Sequence, residues 1–490
     1  MKSGDRMDFY IGLDLGTSSV KGVVFDNKGN VVETYLEEYD IISKKSGYAE
    51  ENPLVWFNQT IKVLASIKDK SKIKGIGISG QMHGLVILDK DDNVLRDSII
   101  WCDNRTDVEA KLIEEKIGFK RLKEITGNIA MPAFTLAKLL WVKNNEPKIY
   151  NKIAKVMLPK DYIVYMLTKN HCADYSDISG TQILDITNYD YSNEILESFN
   201  IPRNWFGKLV DSKDIAGYLT ADIEQLTGLE NVFVCAGAGD QAAGAIGNGI
   251  ISSDDASIVL GSSGVVYSPI DELYIAPNGE VQTFVSANEK KYHVMGVTNG
   301  CGTSLKWLRD EMFNIGYNEM TSLAGEISAG SNSLYYLPYL MGERTPILDT
   351  YAKGVFFGIK NTTSKGEMIR AVMEGVGYSI KDCFKLIKGK KTNVLISGGG
   401  AKSKLYREII ASMINHPIIQ IKQDEGAALG AAILAMVAGG EYKSISEACK
   451  AIIQIDSVTK PIKEWVDLYE KCYNIYKKIY INTKEIFKEI

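Results

Sequence analysis

Four short stretches of this chain place small residues directly after an apolar run: "DLGTSSVK" at 14–21, "GAGDQAAG" at 237–244, "LGSSG" at 260–264 and "SGGGAKS" at 397–403. Glycine at such a point lets the backbone turn or lets a ligand approach peptide N–H groups, and a structural turn satisfies each stretch taken alone. Four together, two of them holding an aspartate (Asp14 and Asp240), point to a phosphate-bearing ligand. The sequence contains no G-x-x-x-x-G-K-[ST], so a P-loop is not the cradle. "GAGDQA" also fits the G-x-G-x-x-A form of the dinucleotide fingerprint. Asp240 would then set a negative charge beside a pyrophosphate, and the following "ASIVLGSSG" ends in glycine and serine where a ribose-binding acid is needed. No G-x-S-x-G occurs, which leaves a serine hydrolase without its nucleophile elbow.

Two further apolar runs end in polar groups suited to a hydroxylated ligand. "GISGQMHGLV" at 77–86 carries Gln81, Met82 and His83, and "IIWCDNRT" at 99–106 carries Trp101, Asp103, Asn104 and Arg105. A lone histidine in such a loop serves structure as readily as binding.

These groups need rigid elements to hold them. Ile11 to Leu15, Val20 to Asp26 and Val31 to Tyr39 read as three consecutive strands joined by short turns, a meander and not a crossover. Further along, "IKGIGISG" and "VFVCAGAG" are strand-like and "FTLAKLLWVKNNEP" is helix-like, which sets the class as α/β. "AALGAAILAMVAGG" at 427–440 reads as a buried helix too short to cross a bilayer. The tail from Trp465 to Ile490 reads as a helix whose Tyr469, Tyr473, Tyr476 and Tyr480 form a packing stripe. Near Ile251, "ASIVLGSSGVVYSP" repeats the strand, turn and strand of the opening. The expectation is therefore two related domains, 8–250 and 251–490, with a cleft between them.

The 490 residues suffice for two large domains. A net charge of −5 gives no general attraction to nucleic acid or to an anionic membrane, so a phosphorylated ligand must be held locally. The seven cysteines show no C-x-x-C spacing and the first residues lack an apolar signal core; both fit a cytoplasmic protein.

"IGLDLGTSSVK", "ISGQMHG", "ITGN", "LLWV", "LPKDY", "GDQAAGAIG", "YLMGERTP", "KGVFFGI", "RAVMEGVGY" and "SGGGA" occur in this order from Ile11 to about Ala432. Through them the chain resembles the FGGY family of carbohydrate kinases, and "GQMHG" and "GERTP" resemble the members that act on D-xylulose. The resemblance implies an α/β fold of two actin-like (ribonuclease-H-like) domains with an interdomain cleft. It implies ATP and Mg²⁺ as co-reactants and a small-molecule sugar as partner, with a homodimer left open. Asp240 would be the catalytic base and Asp14 the metal-holding acid. Gly16, Thr17, Ser18 and Lys21 would grip phosphates, with Ser262 near them, and Gly399, Gly400, Ala401 and Lys404 would hold adenosine. Met82 and His83 would meet the sugar, with Gln241 at or near its pocket; Trp101 and Asp103, from the polar end of their strand, join them as candidates. Gln241 in place of the more usual Asn and Ala133 in place of Gly bear on which sugar is taken; D-ribulose or a polyol is the alternative to D-xylulose. An actin-like ATPase acting on a protein partner is the alternative of another class, and the sugar-facing "GQMHG" argues against it.

Overall fold

The computed structural model describes residues 8–422 and 425–490. These fall into two compact units. The first comprises the described residues of Met1–Ile251, Thr283–Tyr292 and Gln423–Ile453; the second comprises Ser252–Gln282, His293–Lys422 and Gln454–Ile490.

In the first unit, Phe9–Leu15, Ser19–Asp26 and Val31–Glu38 form the expected antiparallel meander, and Phe9–Leu15 pairs in parallel with Ile73–Gly80. The sheet continues through Phe233–Cys235 to Ile215–Tyr218, and the short Ala238–Gly239 also runs parallel to Ile73–Gly80. The central strands are mostly apolar because both faces are covered, with Asp14 and Ser79 near their carboxyl ends. One face packs against Trp56, Val63 and Leu64 of the helix Pro53–Ser66, the other against Ala428, Leu429, Ala432 and Ile433 of the helix Gly426–Ala438.

The Gly426–Ala438 helix is apolar on all sides, so its sequence does not reveal which core it fills. Its seat is lined by glycine. Gly12 and Gly77 are partners across the parallel pair, and a Cβ on either would stand 1.9 or 1.8 Å from the carbonyl oxygen of Ala428 or Ala431. The same helix crosses the helix Asp240–Gly247 at backbone contact: a Cβ on Gly430 would lie 1.8 Å from the Ala243 carbonyl oxygen. By contact, therefore, this late segment joins the first unit, whereas the expected division at 250/251 followed chain order. Gly77→Ala is expected to cost about 3 kcal/mol, since rigid backbone meets the new methyl. Gly244→Ala, where nothing lies within 4 Å, should be neutral or stabilise by up to ~1 kcal/mol. Urea midpoints of the two variants check this, and equal midpoints would refute the glycine seat.

The second unit repeats the plan. Asp255–Leu260 pairs antiparallel with Gly264–Ile270 and parallel with Asn393–Ser397; the sheet runs on through Ile418–Ile421 to an antiparallel Ile455–Thr459. The turns correspond as well: Gly16 N–H donates to Ser19 O at 3.0 Å and Gly261 N–H to Ser263 O at 3.1 Å. The predicted tail helix is Lys463–Thr483, with Tyr469, Tyr473 and Tyr476 buried.

Candidate active site

Register within the first sheet does the positioning. Asp14, next to last in its strand, lies opposite Ser79, and Gly80 lies opposite Gly239. Asp14, the loop Gln81–His83 and Asp240 are thus set side by side at the carboxyl ends of three neighbouring parallel segments, where open α/β sheets bind ligands.

Asp14 is partly buried, and Ser79 Oγ donates to its Oδ1 at 3.1 Å. Burial raises its pKa above the ordinary carboxylate value, with Ser79 and the Lys21 charge opposing and Glu425 adding to the rise. Lys21, opposite Asp14 in the hairpin, forms an ion pair with Glu425. The Gly16 carbonyl accepts from Tyr39 Oη and, at 3.3 Å, from Gln81 Nε2. Thr17 Oγ1 accepts from Trp101 Nε1 at 3.0 Å, so Trp101 meets the glycine turn, and Ser18 is exposed.

Gln81 is held at both ends. Its N–H donates to Leu15 O at 2.9 Å and its side chain to Glu51 Oε2 at 2.8 Å; Trp56 Nε1 donates to the same Glu51 oxygen at 2.7 Å. Burial pushes the Glu51 carboxyl up to about 7 against both hydrogen bonds. Met82 is buried against Gly239, where a Cβ would stand 2.9 Å from Met82 Cγ. His83 has a left-handed backbone, φ 69°, and its Nδ1 lies 2.7 Å from Gly180 O. A carbonyl only accepts, so Nδ1 carries a proton.

Asp240 opens its helix, and its Oδ1 accepts from Gln241 N–H at 2.6 Å. It is the first residue of the helix and not its cap, which is Gly239, and this contact leaves a second oxygen for chemistry. Burial first, and then the Asp14 charge, push its carboxyl up to about 7 in spite of that N–H. A carboxyl poised near neutrality is what general-base work needs. Gln241 is half-buried beside it.

Asp103 is placed otherwise. It is fully buried, accepting from Ala49 N at 2.5 Å and from Arg105 Nη2 at 2.6 Å, and that ion pair uses both of its oxygens. It braces the loop and has no oxygen to offer a sugar. Gln81 stands in the loop named with Met82 and His83; Ser79 and Glu51 are site neighbours that the sequence does not single out. So is Asp177, fully buried with neither carboxylate oxygen hydrogen-bonded and its pKa raised by burial.

In the second unit, Ser262 is exposed, and its carbonyl accepts from Thr303 N–H at 3.2 Å. Gly399, Gly400 and Ala401 lie in the short turn Gly399–Lys402 at the end of Asn393–Ser397. Gly399 has open space where a side chain would stand, while a Cβ on Gly400 would press on Leu260. Lys404 begins the next helix, exposed and 3.6 Å from Glu408.

A sheet of this topology in each of two units, both ending strands in glycine turns, defines the class of actin-like phosphotransferases and ATPases. Sequence profiles of the FGGY family of carbohydrate kinases match residues 9–247 with its N-terminal domain and 256–439 with its C-terminal domain. The chain belongs to the FGGY family of carbohydrate kinases. It is 37% identical to a xylulose kinase of Staphylococcus epidermidis over 99% of this chain and 98% of that one. It also superposes on two solved structures from Lactobacillus acidophilus, each with a TM-score of 0.94 and 28% identity. These are a ligand-bound xylulose kinase, covering 99% of this chain and 100% of that chain, and a gluconate kinase, covering 99% of each. Family membership sets aside the protein-directed ATPase and the dehydrogenase. No described helix is long and apolar enough to cross a membrane.

Proposed function

We propose that the protein transfers the γ-phosphoryl group of ATP to D-xylulose, giving D-xylulose 5-phosphate, with Asp240 as the base. The observation that carries this is the Asp240 carboxyl, raised to about 7 at a strand end beside Asp14 and the Met82–His83 loop. The attacking sugar hydroxyl loses its proton to the Asp240 carboxylate as its oxygen bonds to phosphorus and the bond to ADP breaks. Met82 gives apolar contact, His83 and Gln241 hydrogen bonds. In the first unit the turn Gly16–Ser18 meets phosphate, with Lys21 once released from Glu425; within the second unit the exposed Ser262 offers its hydroxyl to a phosphate oxygen. Gly399, Gly400 and Ala401 admit adenosine, with Lys404 alongside.

Mg²⁺ suits Asp14, because this ion is commonly held by one or two carboxylates and the phosphates themselves. Consistent with a cation that arrives with the nucleotide, no group of three or more metal-ligating side chains occurs among the described residues. Bound there, the ion would neutralise charge on the phosphates. A reducing cytoplasm fits the chemistry, and among the described residues no disulfide joins the seven cysteines.

The test is ADP release with Mg·ATP across D-xylulose, D-ribulose, polyols and gluconate. The last is included because the gluconate kinase superposes equally well. D-Xylulose should give the highest kcat/KM; a tenfold preference for another compound overturns the assignment. His83→Ala should lower kcat/KM for D-xylulose roughly 2- to 13-fold, the worth of one neutral hydrogen bond. The loss should be smaller for a sugar lacking the contacted hydroxyl, and an equal loss on every sugar would mean that His83 only holds its loop.

A further inference from the structure

Lys138 is fully buried, and among the described residues its Nζ donates to backbone carbonyls and forms no ion pair with a carboxylate. It is the fourth residue of the helix Thr135–Asn145, and a helical side chain leans back towards the N-terminus. There its Nζ donates to the carbonyl oxygens of His83, at 2.7 Å, and Ala133, at 2.5 Å. Thr135 Oγ1 donates to the same His83 carbonyl at 3.1 Å. His83 is the residue with the left-handed backbone, which a side chain other than glycine adopts only where its surroundings hold it. Burial pushes the Lys138 amine down to about 7, opposed by the charge of Asp103. Two carbonyls thus take the N–H donors of this buried amine.

We infer that Lys138 is a positioning residue for sugar recognition: with Thr135 it fixes the left-handed His83 peptide and ties it to the Ala133 turn, which aims the His83 ring. This rests on the reading of His83 as a sugar contact. Lys138 does not touch substrate; its effect passes through the loop. Sugar binding should therefore depend on it, and nucleotide use should not.

The experiment measures KM for D-xylulose, KM for ATP and kcat for Lys138→Met, Thr135→Val, His83→Ala and the double variant Lys138→Met/His83→Ala. Lys138→Met removes one donor from each of two partly buried carbonyls and should raise the sugar KM about tenfold, Thr135→Val about threefold. The ATP KM and the kcat at saturating sugar should stay within about twofold, and on the His83→Ala background Lys138→Met should add nothing. An unchanged sugar KM in Lys138→Met, with His83→Ala impaired, overturns the inference and spares the His83 reading. No effect of His83→Ala sinks that reading itself. A uniform fall in kcat with both KM values raised means general damage and also overturns the inference. If Lys138→Met does not fold, Thr135→Val decides: a wild-type sugar KM refutes the role.

Discussion

Asp240→Asn is expected to lower kcat for sugar phosphorylation by about 10²–10⁴-fold, the range of general-base catalysis, while nucleotide and sugar still bind. The amide keeps the size of the carboxyl and can still accept from the Gln241 N–H, so the helix start survives. What it lacks is the capacity to take a proton. The same group sets the pH dependence. The competent base is the deprotonated form, and burial with the Asp14 charge raises its pKa to about 7. In the wild type kcat/KM should therefore climb as pH rises through about 7, level off above and fall below. A cation bound at Asp14 offsets the charge that lifts Asp240, so Mg²⁺ should move this limb to lower pH. Steady-state kinetics across pH, with calorimetric nucleotide binding, test both parts. Turnover of Asp240→Asn within threefold of wild type would remove Asp240 from the role.

Asp14→Ala should do its damage on the nucleotide side. Losing one preorganised electrostatic group at a phosphoryl-transfer site costs on the order of 10²–10³-fold in rate. The deficit should deepen as Mg²⁺ is lowered and should not be rescued by more sugar. A second consequence separates it from a folding defect: with the Asp14 charge gone, the Asp240 carboxyl loses one of the two causes of its rise, and the acid limb of the residual activity should shift down. Undiminished activity at low Mg²⁺ would exclude Asp14 as the metal-holding acid.

The strand, turn and strand units around Gly16 and Gly261 were legible because each is local, an apolar run broken by glycine and serine. The helical tail and its tyrosine stripe were legible for the same reason. Asp14, Met82, His83 and Asp240 stood out by residue type within such turns. Their adjacency did not, because Asp14 opposite Ser79 and Gly80 opposite Gly239 are facts of parallel register, and no short-range pattern encodes which distant strand lies alongside. Polar residues after a strand were read as facing a ligand, yet Asp103 turned inward to Arg105 and Trp101 leaned on Thr17. Both find partners far off in sequence or in a fold of the loop itself. In the sequence Lys138 is one residue of a helical run; its place rests on the His83 and Ala133 carbonyls that the fold brings to its Nζ.

The glycine seat under the Gly426–Ala438 helix also fixes an order of events while the chain is being made. The strands bearing Gly12 and Gly77 and the helix bearing Asp240 leave the ribosome well before residue 426, yet the piece that covers them and braces that helix comes later. At ordinary elongation rates of ~5–20 residues per second, the wait between residues 251 and 438 is roughly 10–40 s. Through that interval a nascent chain carries both acids but leaves uncovered the glycine seat in an apolar sheet face shaped for Ala428 and Ala431. Chains that stop short of the helix should be the aggregating ones, with that apolar face left open.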